Sequence, residues 1–316
     1  MPILLALLSC CTEQYYYEPE IAEQVEALPL NDIAFKLLDQ KAAEPILRRI
    51  GQLCSYTNYR YVVIGDVRPQ VESHETDLVN SIFISLLDSI ALLRPQPDFV
   101  MVLGDLVWSG SEIQYQSYYD LISDWMEATR IAVFAVPGNH EFFKRGSFEL
   151  YEKFIGDLDY CFDWKASTFV VLNNVQHFDD LQYEIEDYQL DFLASVLKSG
   201  QQLKFVCTHV PLDGSRGIYQ GYEKALDILA EYNVAVSWEA HSHLFRRYWY
   251  NGVLHIITGG GGAELKEEGG EYPPLTFNTK HHFLVVDVRR GRIEIRVYFY
   301  QEGFSSGDYN ITLNIK

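Results

Sequence analysis

Short apolar runs alternate with amphipathic stretches along the middle of the chain. Residues 61–64, Tyr-Val-Val-Ile, form a largely β-branched run of strand length. Leu78, Ile82, Leu86, Ile90 and Leu93 recur at helical spacing within residues 73–93, with Ser73 as the expected N-cap. Residues 99–103 make a second apolar run. Ser111 and Gln114 then stand at the spacing of a capping box, for a helix reaching Thr129. Residues 131–136 read as a third strand. Strand, helix, strand, helix, strand is the pattern of an α/β sheet with largely parallel strands.

Beyond this point the pattern changes. Residues 160–172 read as a strand pair interrupted at Lys165-Ala166, residues 183–198 as a helix and residues 205–207 as a strand. Residues 234–237, 245–250, 253–258, 283–288 and 293–300 are short strands separated by turns such as Asn251-Gly252 and Arg290-Gly291. The second half is therefore expected to be mostly antiparallel. Residues 20–53 are polar and helical in style, broken by Pro29 and Pro45. With no internal repeat and no low-complexity linker, one two-sheet domain is expected.

Composition narrows the functions available. The chain has 316 residues and 48% apolar content, enough for a sizeable core. Its formal net charge of −19 repels a phosphate backbone, so nucleic-acid binding is disfavoured as the main task. No run approaches the ~20 apolar residues of a membrane span. At the N-terminus, Leu7-Leu8-Ser9-Cys10 follows a short apolar run and resembles a bacterial lipoprotein signal, although no Lys or Arg precedes the run. That resemblance implies a cell-envelope protein attached to the membrane through lipidated Cys10. An ordinary hydrophobic N-terminal segment would instead imply a cytoplasmic protein. Cys54, Cys161 and Cys207 show no CxxC spacing, and Cys161 and Cys207 read as buried thiols.

The chemistry lies in the residues just past each apolar run. Gly65-Asp66 comes after the first and Gly104-Asp105 after the second. Gly138-Asn139-His140-Glu141 comes after the third, Thr208-His209 after a fourth and His241-Ser242-His243 after a fifth. In open α/β sheets, ligands bind beyond the carboxyl ends of the strands. Carboxylate, amide and imidazole donors delivered to one rim suit Mn, Fe or Zn better than Ca or Mg. A His-x-His pair on a strand is expected to point both rings to the same face. Gly259 to Gly262 lacks the Lys-Ser/Thr of a phosphate-binding loop and reads as a turn near the rim. Arg216 lies in the loop after His209 and is a weaker candidate for touching substrate. His74, His177, His255, His281 and His282 have no partners in the pattern.

This ordered set resembles the calcineurin-like metallophosphoesterase superfamily over residues 59–300, through Gly-Asp-Leu-Val at 104–107, Gly-Asn-His-Glu at 138–141, Thr-His-Val-Pro at 208–211 and Ile-Thr-Gly-Gly-Gly-Gly-Ala at 257–263. The resemblance implies a four-layer α/β/β/α fold, a double β-sandwich with flanking helices, and a dinuclear centre of divalent transition metals. By position, Asp105 would bridge both ions. Asp66 and His243 would hold the first, and Asn139, His209 and His241 the second. Water bridging the two ions would be the nucleophile, and His140 would stabilise the transition state or protonate the leaving oxygen. The implied activity is hydrolysis of a phosphomonoester or phosphodiester, on a phosphorylated small molecule or another phosphoester. The implied division is 1–19 as signal and tether, 20–58 as an N-terminal helical segment and 59–316 as the catalytic domain.

Two departures stand out. Ala240 replaces the glycine usual before His-x-His, and Arg68 replaces the His that most members place two residues after the first Asp. Guanidinium stays protonated and has no lone pair for a metal. It can instead clamp a phosphate through two parallel hydrogen bonds, or pair with a nearby carboxylate. Arg68 is also the one feature that favours a rival, a binding or scaffold protein that keeps the fold without turnover.

Overall fold

Strand and helix alternate through the first half as the apolar pattern predicts: β1 (Tyr59–Ile64), α1 (Ser81–Ala91), β2 (Phe99–Val102), α2 (Glu112–Thr129) and β3 (Ala132–Ala135). The computed structural model describes residues 58–72, 78–144, 146–175, 183–212, 219–265, 280–289, 291–305 and 309–314. Cys10, Cys54, the signal-like segment, residues 20–57 of the helical segment, Ser73, His74, His177 and Arg216 lie outside them.

Two helix starts differ from expectation. The N-cap of α1 is Asn80, whose side-chain oxygen accepts the N–H groups of Ile82 at 2.8 Å and Phe83 at 3.4 Å. Asn80 competes well for this place because it holds the extended backbone a cap requires. At α2 the capping box does not form. Gln114 turns back to accept the Ser109 N–H at 2.9 Å, and Ser111 makes no side-chain cap bond.

The second half supplies a turn of 3₁₀ helix (His140–Phe142), then α3 (Ser147–Phe154), β4 (Tyr160–Trp164), β5 (Ser167–Val171), α4 (Asp187–Ser199), β6 (Leu203–Cys207) and α5 (Tyr222–Glu231). After these come β7 (Val236–Glu239), β8 (Phe245–Tyr250), β9 (Val253–Thr258), β10 (His282–Arg289), β11 (Arg292–Phe299), β12 (Gly303–Phe304) and β13 (Ile311–Asn314). Helices α3 and α5 and strands β12 and β13 are additions to the expected elements, and α4 starts later than its pattern suggests. One sheet runs β12-β11-β10-β1-β2-β3, with β13 beside β11, and the other β4-β5-β6-β7-β9-β8. The antiparallel expectation holds for the β4–β5 pair, for β8 and for β10 to β13, whereas β5, β6, β7 and β9 are parallel to one another.

The sheets pack face to face through aromatic residues. Tyr61 and Phe99 stack at 5.1 Å, and Tyr61 meets Phe169 and Trp238 of the other sheet edge-on. In the second sheet Phe169, Phe205 and Trp238 face this shared core. Val170 and Val206 point the other way, onto Leu193 of α4 and Leu229 of α5. Strands buried on both faces explain the apolar runs at residues 61–64 of β1, 99–102 of β2 and 169–171 of β5. Helices α1 and α2 join the shared core cluster through Phe83, Leu86, Tyr115 and Ile122. Two sheets flanked by helices make the expected α/β architecture.

Candidate metal centre

Parallel register brings the polar strand ends together. Ile64, Val102 and Ala135 are level across β1, β2 and β3, so the segments carrying Asp66, Asp105 and Asn139 leave the first sheet side by side. Cys207 and Trp238 are level across β6 and β7, which sends His209 and His241 out of the second sheet together. The donors therefore come from two sheets rather than from neighbours in one. Backbone bonds tie the segments to one another: Asp66 N–H to Gly104 O at 3.2 Å, and Ala240 N–H to His209 O at 2.8 Å.

Four of the predicted site residues have left-handed backbone: Asp66 (φ 57°), Asp105 (φ 53°), His241 (φ 64°) and His243 (φ 52°). Such conformations are uncommon outside glycine and collect at functional sites. They also change the reading of the histidine pair. His241 and His243 lie beyond β7, not on a strand, and their rings diverge. His241 Nδ1 lies 2.8 Å from Asn139 Oδ1, while His243 Nε2 lies 3.5 Å from Asp66 Oδ1. Donor atoms of Asp66, Asp105 and His243 all fall within 4.8 Å of one another, the single such buried group among the described residues.

Backbone carbonyls set the tautomers. The Nδ1 atoms of His209, His243 and His140 face the carbonyl oxygens of Leu103 (2.7 Å), Glu264 (2.6 Å) and Trp108 (2.5 Å). A carbonyl only accepts, so each ring donates from Nδ1 and turns Nε2 inward. His209 Nε2 is 3.0 Å from Asn139 Oδ1 and 3.3 Å from Asp105 Oδ1, and His140 Nε2 is 3.9 Å from Asp105 Oδ2. In the neutral rings these Nε2 atoms carry lone pairs and face oxygen lone pairs, an arrangement that a cation between them satisfies. Imidazole oriented by a carbonyl on its far nitrogen is the usual outer shell of a metal ligand. The donor set fits a divalent transition ion. Burial opposes ionisation of Asp105, but His140, His209, Arg68 and His241 outweigh it and hold its carboxyl well below the usual range. Asp66, Asp105, His209 and His243 are buried, whereas His140 and His241 are partly exposed.

One organising residue carries no role in the sequence pattern. Glu141 is fully buried and accepts four backbone N–H groups, from Gly138, Asp105, Leu106 and Val107. It thereby joins the segment after β2 to the one after β3. The available signal was its place beside Asn139-His140. The glycine-rich segment after β9 lies at the rim, as expected. Gly261 N–H bonds Gly65 O at 2.8 Å, and Ala263 N–H bonds Asp66 O at 2.9 Å. A Cβ on Gly259 would run into Asp66 Oδ2 and the backbone of His243.

Arg68 is 4% exposed. Its Nε lies 3.6 Å from Asp105 Oδ2 and its Nη1 3.5 Å from Glu264 Oε2, and Nη1 donates to Pro69 O at 2.8 Å. The guanidinium carbon sits 4.5 Å from the centre of the Trp108 ring, which meets His140 edge-on. Of the histidines set aside, His255 pairs with buried Glu239 at 2.7 Å. His282 lies between Lys280 O and Thr258 Oγ1, at 3.0 Å from each. His281 faces Gly260 O at 3.2 Å. Cys207 is buried as expected, and Cys161 only half-buried.

The sequence profile of the calcineurin-like phosphoesterase family matches residues 59–245, a span that includes every donor named above. No curated protein shares detectable similarity with the chain. Among solved structures, purple acid phosphatase PPD1 from yellow lupin (Lupinus luteus) seeds has a TM-score of 0.66 at 17% identity, covering 82% of this chain and 54% of that one. This chain thus spans about half the length of the lupin protein. GAP50, the anchor in the inner membrane complex of Plasmodium, has a TM-score of 0.61 at 17% identity, covering 82% of this chain and 90% of that one. At these identities the likeness is one of fold.

Proposed function

Because the chain belongs to the calcineurin-like phosphoesterase family, we propose that it hydrolyses phosphoesters with divalent transition metal, Mn, Fe or Zn, held at the strand-end rim. The observation that carries this reading is the inward turn of the Nε2 atoms of His209 and His243, each fixed by a backbone carbonyl, onto Asp105 and Asp66. Asp105 would be shared between two ion positions, with Asn139, His209 and His241 completing one and Asp66 and His243 the other. When bound, the ions polarise a phosphoryl oxygen and acidify water at neutral pH.

The chain's own groups do the rest. His140 is partly exposed and holds Nε2 beside Asp105 Oδ2, where its protonated form donates to the leaving oxygen. Arg68 contributes positive charge on the same side and draws a phosphate toward it. The net charge of −19 favours a small or isolated phosphoester over a nucleic acid. A panel of phosphomonoesters and phosphodiesters, assayed with Mn, Fe and Zn, tests the proposal. Asp105→Ala is expected to lose both metal and hydrolysis, and full activity in that variant would sink the assignment.

A second reading is a binding protein that keeps the fold without turnover. One observation favours it: a buried guanidinium stands where most members place a metal ligand. Metal-loaded protein that hydrolyses no ester in the panel would favour this reading over the first.

A further inference from the structure

Asp105 presents two different faces. Its Oδ1 looks toward His209 and accepts the His140 backbone N–H at 3.1 Å. Its Oδ2 looks toward Arg68 Nε and His140 Nε2. Arg68 cannot easily leave that position. Trp108 covers the flat of its guanidinium, Pro69 O and the Glu264 carboxylate hold Nη1, and Asn80 Nδ2 donates to its backbone oxygen at 2.8 Å. Glu264 binds both parts of this corner, because its carbonyl accepts His243 Nδ1 while its carboxylate faces Arg68. The guanidinium is thus fixed beside Asp105 and against Glu264, whose carbonyl holds His243, at 4% exposure and so beyond much screening by solvent or salt.

We infer that Arg68 makes the two ion positions unequal, acting as a permanent cation on the Asp66–His243 side. This rests on the metal-centre reading above. A divalent ion at Asp105, Asn139, His209 and His241 meets four neutral or anionic donors. An ion at Asp66, Asp105 and His243 has three donors and meets a fixed positive charge beside Asp105. Like charges repel strongly at short range in a buried setting. Arg68 also leaves that position short of the ligand which a neutral imidazole would offer. At limiting metal the resting protein therefore carries one ion, with the guanidinium supplying positive charge across Asp105.

Metal-binding titration separates the outcomes without recourse to activity. Metal-free protein is dialysed against graded Mn²⁺, bound metal is counted, and the electron paramagnetic resonance spectrum is recorded at each step. Wild type is expected to bind one Mn²⁺ tightly, giving an uncoupled six-line spectrum, and a second at least about tenfold more weakly. Arg68→Met removes the charge and keeps an apolar stem against Trp108. It should bring the second affinity up toward the first and give an exchange-coupled spectrum at two equivalents. Arg68→Lys retains the charge and should behave as wild type. Circular dichroism melts establish that each variant is folded, and the wild-type titration stands alone if the Met variant is not. Two ions of equal affinity in wild type, or a second Mn²⁺ bound no more tightly by folded Arg68→Met than by wild type, overturn the inference while leaving the metal centre intact. A wild type that binds no Mn²⁺ overturns the metal-centre reading itself.

Discussion

The Oε2 atom of Glu141 lies 2.8 Å from the backbone nitrogen of Asp105, and the same oxygen accepts the Gly138 N–H at 2.7 Å. A single buried carboxylate thus holds the turn that carries Asp105 against the turn that leads to Asn139. In Glu141→Gln one of the two oxygens becomes an NH₂, which faces backbone N–H groups it cannot bond. Leaving buried donors unsatisfied is expected to cost about 2–4 kcal/mol of stability. Metal retention should fall as well, since Asp105 and Asn139 lose their common support. Thermal melts and metal analysis check both, and unchanged values would mean that the four bonds matter little.

His140 donates Nδ1–H to Trp108 O and faces Asp105 with Nε2, so its removal should affect chemistry more than metal. His140→Gln is expected to retain wild-type metal content and lose about 10²–10⁴-fold in kcat, the range for a general acid. The loss should be larger for esters with poor leaving groups than for aryl phosphates, whose leaving oxygens need little help. Steady-state kinetics over a leaving-group series decide this. An equal loss across the series would assign His140 to charge stabilisation instead.

Gly259 is close enough to the site for its missing side chain to matter. A Cβ there overlaps Asp66 Oδ2 and the His243 backbone, and these cannot both retreat without disturbing Asp105's neighbours. Gly259→Ala is expected to destabilise the fold by about 1–3 kcal/mol, the usual range for overpacking. It should also weaken metal binding on the Asp66–His243 side more than on the His209 side. Two-site Mn²⁺ titration reads the difference, and equal weakening of both sites would count against the assignment of Asp66 and His243 to one position.

His282 gives the fold a response to acid. Burial pushes its imidazole down to about 4, below the ordinary histidine range. Unfolding exposes a ring that takes up a proton near pH 6.5, so below that pH the unfolded chain binds more protons than the folded one. Stability from this residue is therefore complete above about pH 6.5 and declines as the pH falls toward about 4, by something on the order of 3 kcal/mol in total. Urea midpoints measured from pH 7.5 to 4.5 should fall less steeply in His282→Gln than in wild type. Identical slopes would mean that His282 is protonated in the folded protein.

Much of this protein was decided by the sequence alone. The apolar runs specify β1, β2 and β3 because a buried strand needs β-branched and aromatic residues at successive positions, a local requirement. The donor types after those runs mark the rim as a candidate metal site, because few other uses demand Asp, Asn and His together at strand ends. Local rules reached no further. His241 and His243 look like partners by their spacing, yet positive φ at both sends one ring to Asn139 and the other to Asp66. Ser73 and Ser111 carry good local signals for helix starts, but Asn80 caps α1, and Gln114 is drawn off by Ser109. The partners of Glu141 are backbone groups, which leave no mark in the sequence. The charge of Arg68 is plain in the chain, but only the packing of the glycine-rich segment and Trp108 around Asp105 places Glu264 and an indole against it. Propensity and periodicity act across a few residues, whereas the meeting of these groups depends on two sheets packed face to face and on the register that levels their strand ends.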